Sequence, residues 1–217
     1  MLVDSHAHLT DKRLAEELEA VLRRAAAAEI GAIVTVGTDA ASNRAVAELV
    51  DKVPGVVGSV GVHPHHATTA SAEVLEEMAR LAAGERIVAI GETGLDFYRD
   101  LSPRDAQEIA FIEQIHLARE LRLPLIIHTR DSHEDALKTL KREGGGELRG
   151  VMHCFSGDLD FAQRCVDLGL HIGIAGNVTY PKASKIQTVA AKAPLERLLV
   201  ETDCPYLAPQ QHRGERN

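Results

Sequence analysis

The chain has 217 residues, 45% of them hydrophobic, which suits one globular domain spanning residues 1–217. A formal net charge of −8 argues against a protein that grips long nucleic acid through a broad basic face, but not against an enzyme that takes a few nucleotides into a cleft. No apolar run reaches ~18 residues, so no membrane span is indicated, and Cys154, Cys165 and Cys204 form no CxxC pair, which fits a reduced, cytoplasmic setting.

The first apolar run, LVDSHAH at 2–8, begins almost at once and carries Asp4 and two histidines where a signal peptide would be basic and then apolar. Read as a strand, it points Asp4, His6 and His8 to one side, because alternate residues share a face. Two neutral imidazoles side by side can chelate a metal; a polar strand end with histidines bonded to water is the plainer alternative. Residues 12–29 then place Leu14, Leu18, Val21, Leu22 and Ala25 at helical spacing, with Gly31 as the expected stop. AIVTVG (32–37), VVGSVGVH (56–63) and IVAIGE (87–92) read as the next strands, with helical stretches at 40–52 and 72–83 between them. A helix over 103–122 is expected after Ser102, with Pro103 at its first position and Asp105 three residues past the cap. LPLIIHT (123–129) follows, then a helix capped by Asp131 with Glu134, a GGG loop at 144–146, and GVMHCF (150–155). Helical stretches at 158–168 and 183–192 flank HIGIAG (171–176), and RLLVETD (197–203) is the last strand.

Strands that alternate with helices imply right-handed crossovers and a parallel sheet, so the class is α/β. Eight strands in one chain favour a closed, TIM-like (β/α)8 barrel. An open doubly wound sheet is the alternative, and no G-x-G-x-x-G follows the first strand to support it. The pattern ends soon after the eighth strand, so the last helix is missing. The uncovered seam between strands eight and one leads to the expectation of a homo-oligomer, another covering element, or a weakened scaffold.

In such a barrel the residues that finish each strand converge on one mouth. His6 and His8 finish strand one, Glu92 strand four, His128 strand five and Asp203 strand eight, and His153 lies in strand six. Four imidazoles and two carboxylates crowded without partners would be costly, and divalent cations remove that cost. Six donors exceed what one tetrahedral ion needs, so a two-metal site is expected, with Glu92 as a bridge between ions ~3.5–4 Å apart. Imidazoles favour zinc or manganese, while carboxylate and water ligands accommodate magnesium. Asp203 is read as a ligand that also takes a proton from water. His63, His65 and Arg130 are read as phosphate contacts, and Tyr98 and Phe155 as surfaces on which a base stacks, with packed loop aromatics as the alternative. Glu201 shares the face of Asp203, where it orients a ligand or plays a structural part. Arg213 and Arg216 are weaker phosphate candidates.

In order along the chain, "DSHAHL", "GVHPH", "GETGLD", "IIHTRD", "HCFSG" and "ETDCPYL" with "HRGERN" together resemble the TatD family of metal-dependent deoxyribonucleases. The resemblance implies a TIM-like metallo-hydrolase barrel with divalent ions at its mouth. It also implies hydrolysis of phosphodiesters, often as a 3′→5′ exonuclease on single-stranded DNA. Carried over position by position, it gives His6, His8, Glu92, His128, His153 and Asp203 as metal ligands. Family members usually continue past the RGERN-like stretch into a final helix. Three alternatives stand beside this expectation: a hydrolase of another ester or amide within the wider amidohydrolase group, an aminoacyl-tRNA-editing hydrolase, and a non-catalytic metal-binding copy. Many amidohydrolases carry a modified lysine at the end of strand four, where this chain has Glu92.

Overall fold

The structure is a computed structural model that describes residues 1–146 and 148–217. Eight parallel strands form one sheet in the order of the sequence: β1 (Leu2–Ala7), β2 (Ile30–Val36), β3 (Val56–Val60), β4 (Ile87–Asp96), β5 (Leu125–Arg130), β6 (Gly150–Met152), β7 (Leu170–Ile174) and β8 (Leu198–Val200). Seven parallel ladders join β1 through β8, with register shifts in β1–β2, β3–β4 and β4–β5. The eighth junction is looser. It is a single bridge between Ala7 and Cys204, reinforced by His8 N–H donating to the Cys204 carbonyl (2.8 Å) and Asp203 N–H donating to the His6 carbonyl (2.9 Å). The sheet is therefore a nearly closed TIM-like barrel, and its last junction falls between the two segments that carry His6, His8 and Asp203.

The helices are α1 (Lys12–Ala15), α2 (Leu18–Ala27), α3 (Ala40–Lys52), α4 (Ala72–Ala82), α5 (Arg104–Leu121), α6 (His133–Glu143), α7 (Leu159–Asp167) and α8 (Ser184–Lys192). Beyond β8 the described residues form no helix apart from a single 3-10 turn, Gln210–His212. No helix among the described residues is long and apolar enough to cross a membrane.

Several local expectations are corrected. The stretch 12–29 breaks at Glu16 and Glu17 into two helices, and the second ends at Ala27. Glu29 takes the left-handed turn (φ 61°), while Gly31 already belongs to β2. Pro103, not Ser102, caps α5; the Ser102 hydroxyl instead donates to the His65 carbonyl (3.0 Å). Asp131 does not cap α6. It is itself left-handed (φ 54°), and Ser132 holds the cap position without a side-chain bond to the helix. The 3₁₀ turn Pro64–Thr69 begins at His63, so the third strand ends at Val60 rather than His63.

Inside the barrel, alternation sorts the inward residues. Val36 (β2), Ala89 (β4), Ile126 (β5) and Val151 (β6) form a small buried cluster with Val34 and Leu199. His128 stands two residues past Ile126, His153 two past Val151, and Glu201 and Asp203 follow Leu199 at the same spacing. The apolar cluster is thus the floor on which the polar layer rests. The larger core lies between strands and helices and includes Phe111, Ile115, Leu137, Leu140 and Phe161.

Candidate active site

β1 carries His6 and is followed at once by His8; their Nε2 atoms lie 3.2 Å apart. Glu92 enters from within β4 and is 3% exposed. Its Oε1 lies 2.9 Å from His128 Nδ1, 3.4 Å from His63 Nε2 and 3.8 Å from His153 Nε2, and its Oε2 lies 3.5 Å from His6 Nε2 and 3.8 Å from His8 Nε2. Asp203 Oδ1 sits 3.3 Å from His8 Nε2, 3.7 Å from His153 Nε2 and 3.8 Å from His6 Nε2. The six residues expected at one mouth do converge there. Gly94 makes the approach feasible: at φ 136° it pairs directly with His128, and a side chain there would collide with the His128 carbonyl.

The surrounding groups set the charges. Burial opposes ionisation of Glu92, but His63, His128 and His6 outweigh it and hold its carboxyl well below the usual carboxylate range. Burial likewise opposes the charge on Asp203, and His153 and His8 reverse it, so its pKa is lowered. His153 is buried too, yet Glu201 and Asp203 push its pKa up to about 10. Burial pulls His63 down to about 4.

Such a donor set fits divalent cations. Two Nε2 atoms facing each other at 3.2 Å compete for one proton, and His6 Nδ1 is buried without a hydrogen-bond partner. Among the described residues, four groups of side chains offer ligand atoms close enough to share an ion: His6, His8 and Asp203; His6, His153 and Glu201; His63, Glu92 and His128; and His153, Cys154 and Asp203. Metal ligands of this kind prefer deprotonated imidazole and carboxylate donors, and cations relieve the repulsion between two carboxylates in one pocket.

A cavity of about 950 Å³ opens above the ring, and His63, His65, Arg130, Tyr180 and Tyr206 line it. His63 lies closer to Glu92 than the sequence suggested, among the ligand-capable groups. Arg130 reaches the cavity, but its guanidinium also stacks 3.9 Å from the centroid of the exposed Tyr98 ring. Phe155 is not brought to the mouth as a stacking face. It is 1% exposed and packs on Phe161, ring centroids 5.7 Å apart. Asp4 also departs from its expected direction: its carboxylate accepts from Thr202 N–H (2.9 Å), Thr202 hydroxyl (2.7 Å) and His6 N–H (3.2 Å). Arg216 pairs with Glu17 and donates to the Arg13 carbonyl (2.5 Å), so it is not free for phosphate.

Asp96 was not singled out from sequence. Its Oδ2 lies 2.8 Å from His65 Nε2 and 3.1 Å from His128 Nε2, and its Oδ1 accepts from the backbone N–H groups of Tyr98 (3.0 Å) and Arg99 (2.8 Å). Burial works against its charge, but His128, the Arg99 N–H and His65 hold it well below the carboxylate range. Its place in "GETGLD", four residues past Glu92, was the available signal. Glu201 is also buried. It accepts from Cys154 N–H (2.5 Å), and its Oε1 lies 3.1 Å from His153 Nδ1, outside hydrogen-bond alignment.

An imidazole–carboxylate ring at the mouth of a parallel barrel defines the class of metal-dependent barrel hydrolases. A family profile described as TatD related DNase matches residues 3–217, and the chain belongs to that family. It is 41% identical over 217 residues to the uncharacterized metal-dependent hydrolase YabD of Bacillus subtilis, covering 100% of this chain and 85% of that one. It is 38% identical over 211 residues to the 3′-5′ ssDNA/RNA exonuclease TatD of a Pantoea species, covering 96% of this chain and 81% of that one. Among solved structures, the TatD homologue YJJV of Escherichia coli K12 superposes with a TM-score of 0.93 at 35% identity, over 100% of this chain and 84% of its own.

Proposed function

We propose that the protein hydrolyses phosphodiester bonds of single-stranded nucleic acid, as a TatD-like deoxyribonuclease with 3′→5′ exonuclease action, using two divalent cations held at the barrel mouth. The observation that carries this reading is Glu92. It lies within 3.8 Å of five imidazoles, between the His6–His8 pair and the His63–His128 pair. Residues His6, His8, Glu92, His128, His153 and Asp203 would hold the cations. When bound, such ions neutralise phosphate charge and make water a stronger acid.

The protein's own groups supply the rest. Asp203 has a lowered pKa, so at neutral pH it is ionised and able to accept a proton from attacking water. It borders the open cavity, where a water can reach it. His63, His65 and Arg130 line the same space and suit the non-bridging oxygens of a phosphate. Asp96 holds His65 and His128 in place from below. Exposed Tyr98 offers a ring on which a base can stack, with Arg130 on it. The name of the Pantoea relative supports a nucleic-acid substrate and leaves both DNA and RNA in play.

The test is incubation of metal-reconstituted protein with end-labelled single-stranded DNA, RNA and a small carboxylic ester, with His128→Ala as control. Laddered products shortened from the 3′ end and lost in the variant are expected. Turnover of the ester alone would replace the nuclease reading with the amidohydrolase one. In Asp203→Asn, retained metal together with retained activity would remove the general-base role.

A further inference from the structure

Beside the mouth lies a second cavity of about 610 Å³, a size in the range of small-ligand sites. Ser156, Asn177 and Tyr180 line both spaces, so the two adjoin at these side chains. The walls differ in charge. Glu92, Asp96, Asp203 and Glu215 border the mouth beside Arg99 and Arg130, whereas Lys182, Lys185 and Arg213 border the side cavity with no carboxylate among its described lining residues. In a chain of net charge −8 this is a local reversal of sign. The ring of Tyr180 is fixed in place, because its hydroxyl donates to the Ala208 carbonyl (3.0 Å) and the Arg213 guanidinium lies 4.5 Å from its centroid. At the junction Asn177 Oδ1 is buried without a hydrogen-bond partner, and its Nδ2 has only a long contact with Cys154 Sγ (3.7 Å).

We infer that the side cavity is a second nucleotide subsite. With the scissile phosphate at the mouth, the strand runs past Asn177 and lays its neighbouring phosphate among Lys182, Lys185 and Arg213, with the attached base against the Tyr180–Arg213 stack. Cations follow the backbone, an aromatic or guanidinium plane holds a base without reading its identity, and an amide with free hydrogen-bonding capacity suits a base edge or sugar at the bend. The inference rests on the polynucleotide reading above and adds where the strand lies. It makes the enzyme sensitive to substrate length: a dinucleotide or longer strand fills both spaces, whereas a single phosphodiester with small substituents fills only the mouth.

The experiment compares wild type, Lys182→Glu/Lys185→Glu and Tyr180→Ala, all metal-reconstituted. kcat/KM is measured on bis(p-nitrophenyl) phosphate and on single-stranded decadeoxynucleotide, with decanucleotide binding followed by fluorescence anisotropy across salt concentrations. For the charge-reversal variant, the ratio of oligonucleotide to small-ester kcat/KM is expected to fall at least tenfold, chiefly through KM, and the slope of log affinity against log salt should become shallower by ~0.7 for each phosphate contact removed. Tyr180→Ala is expected to lower the same ratio while leaving the salt slope near wild type. Unchanged ratios and slopes in both variants, with a wild type that cuts DNA, overturn the subsite and leave the nuclease reading standing. A wild type that turns over the small ester but no oligonucleotide overturns the nuclease reading itself, and the subsite with it.

Discussion

Asp96 shows how much of the site rests on a residue outside the expected ligand set. One carboxylate oxygen reaches both His65 and His128, while the other is tied to two backbone N–H groups, so the carboxylate cannot swing away from either ring. Partners that orient metal-binding histidines typically matter 10–100-fold for metal affinity or activity. Asp96→Asn keeps the shape but removes the charge, and a loss of roughly that size is expected in kcat/KM and in metal affinity measured by competition with a chelating dye. Cys165 gives a residue-scale prediction on stability. It is fully buried in α7, and burial pushes its thiol from 9.0 up to about 12. The folded state thus favours the protonated form. Its contribution is complete below pH 9.0, the ordinary thiol value, and is lost as pH rises toward about 12. Alkylation at pH 8.5 is expected to spare Cys165 in folded protein and to modify it after unfolding, as peptide mass mapping would show.

At the scale of elements, the seam between β1 and β8 is held by side chains where a ladder is lacking. Asp4 bonds Thr202 twice, Ser5 donates to the Val200 carbonyl (3.1 Å), and Asn217 Nδ2 donates to the Thr202 (2.8 Å) and Tyr206 (2.7 Å) carbonyls. The RGERN stretch, counted from sequence as part of the functional pattern, works here as a clasp on the loop that carries Asp203. Asp4→Ala leaves the Thr202 hydroxyl and N–H without their acceptor, and a loss of about 1–3 kcal/mol is expected in chemical denaturation. Alternating strands and helices made the barrel legible, because most strands are short apolar runs and the helical stretches between them space their apolar residues three and four apart. The six convergent residues were legible for a related reason: strand ends in a parallel barrel have one place to go. What stayed hidden depends on backbone detail that residue type does not encode. Glu29 and Asp131 take left-handed turns that a glycine or a cap residue would ordinarily signal. Phe155 stands two residues past His153, but β6 has ended at Met152 and Cys154 takes a left-handed turn (φ 45°), so Phe155 packs against Phe161 in the core. Strand alternation puts Asp4 on the face of His6 and His8, but its carboxylate is taken up by Thr202 across the seam, and the pairing of β1 with β2 is irregular between Asp4 and Ala7.

For the whole molecule, the same seam leaves apolar surface in water. Leu2, Val3 and Val200 are 54%, 44% and 55% exposed. The expectation of self-association drawn from the sequence is checked by sedimentation velocity over a hundredfold range of concentration. A rising sedimentation coefficient supports it, and one species at monomer mass throughout contradicts it. The central claim concerns the ring of six. Elemental analysis of protein reconstituted with manganese or zinc and then desalted tests it most directly, with His6→Ala/His128→Ala, checked for folding by circular dichroism, measured alongside. The expected result is about two ions per chain in the wild type and near-complete loss in the variant. A wild type that retains no ion, or a folded variant that retains as many, would contradict it.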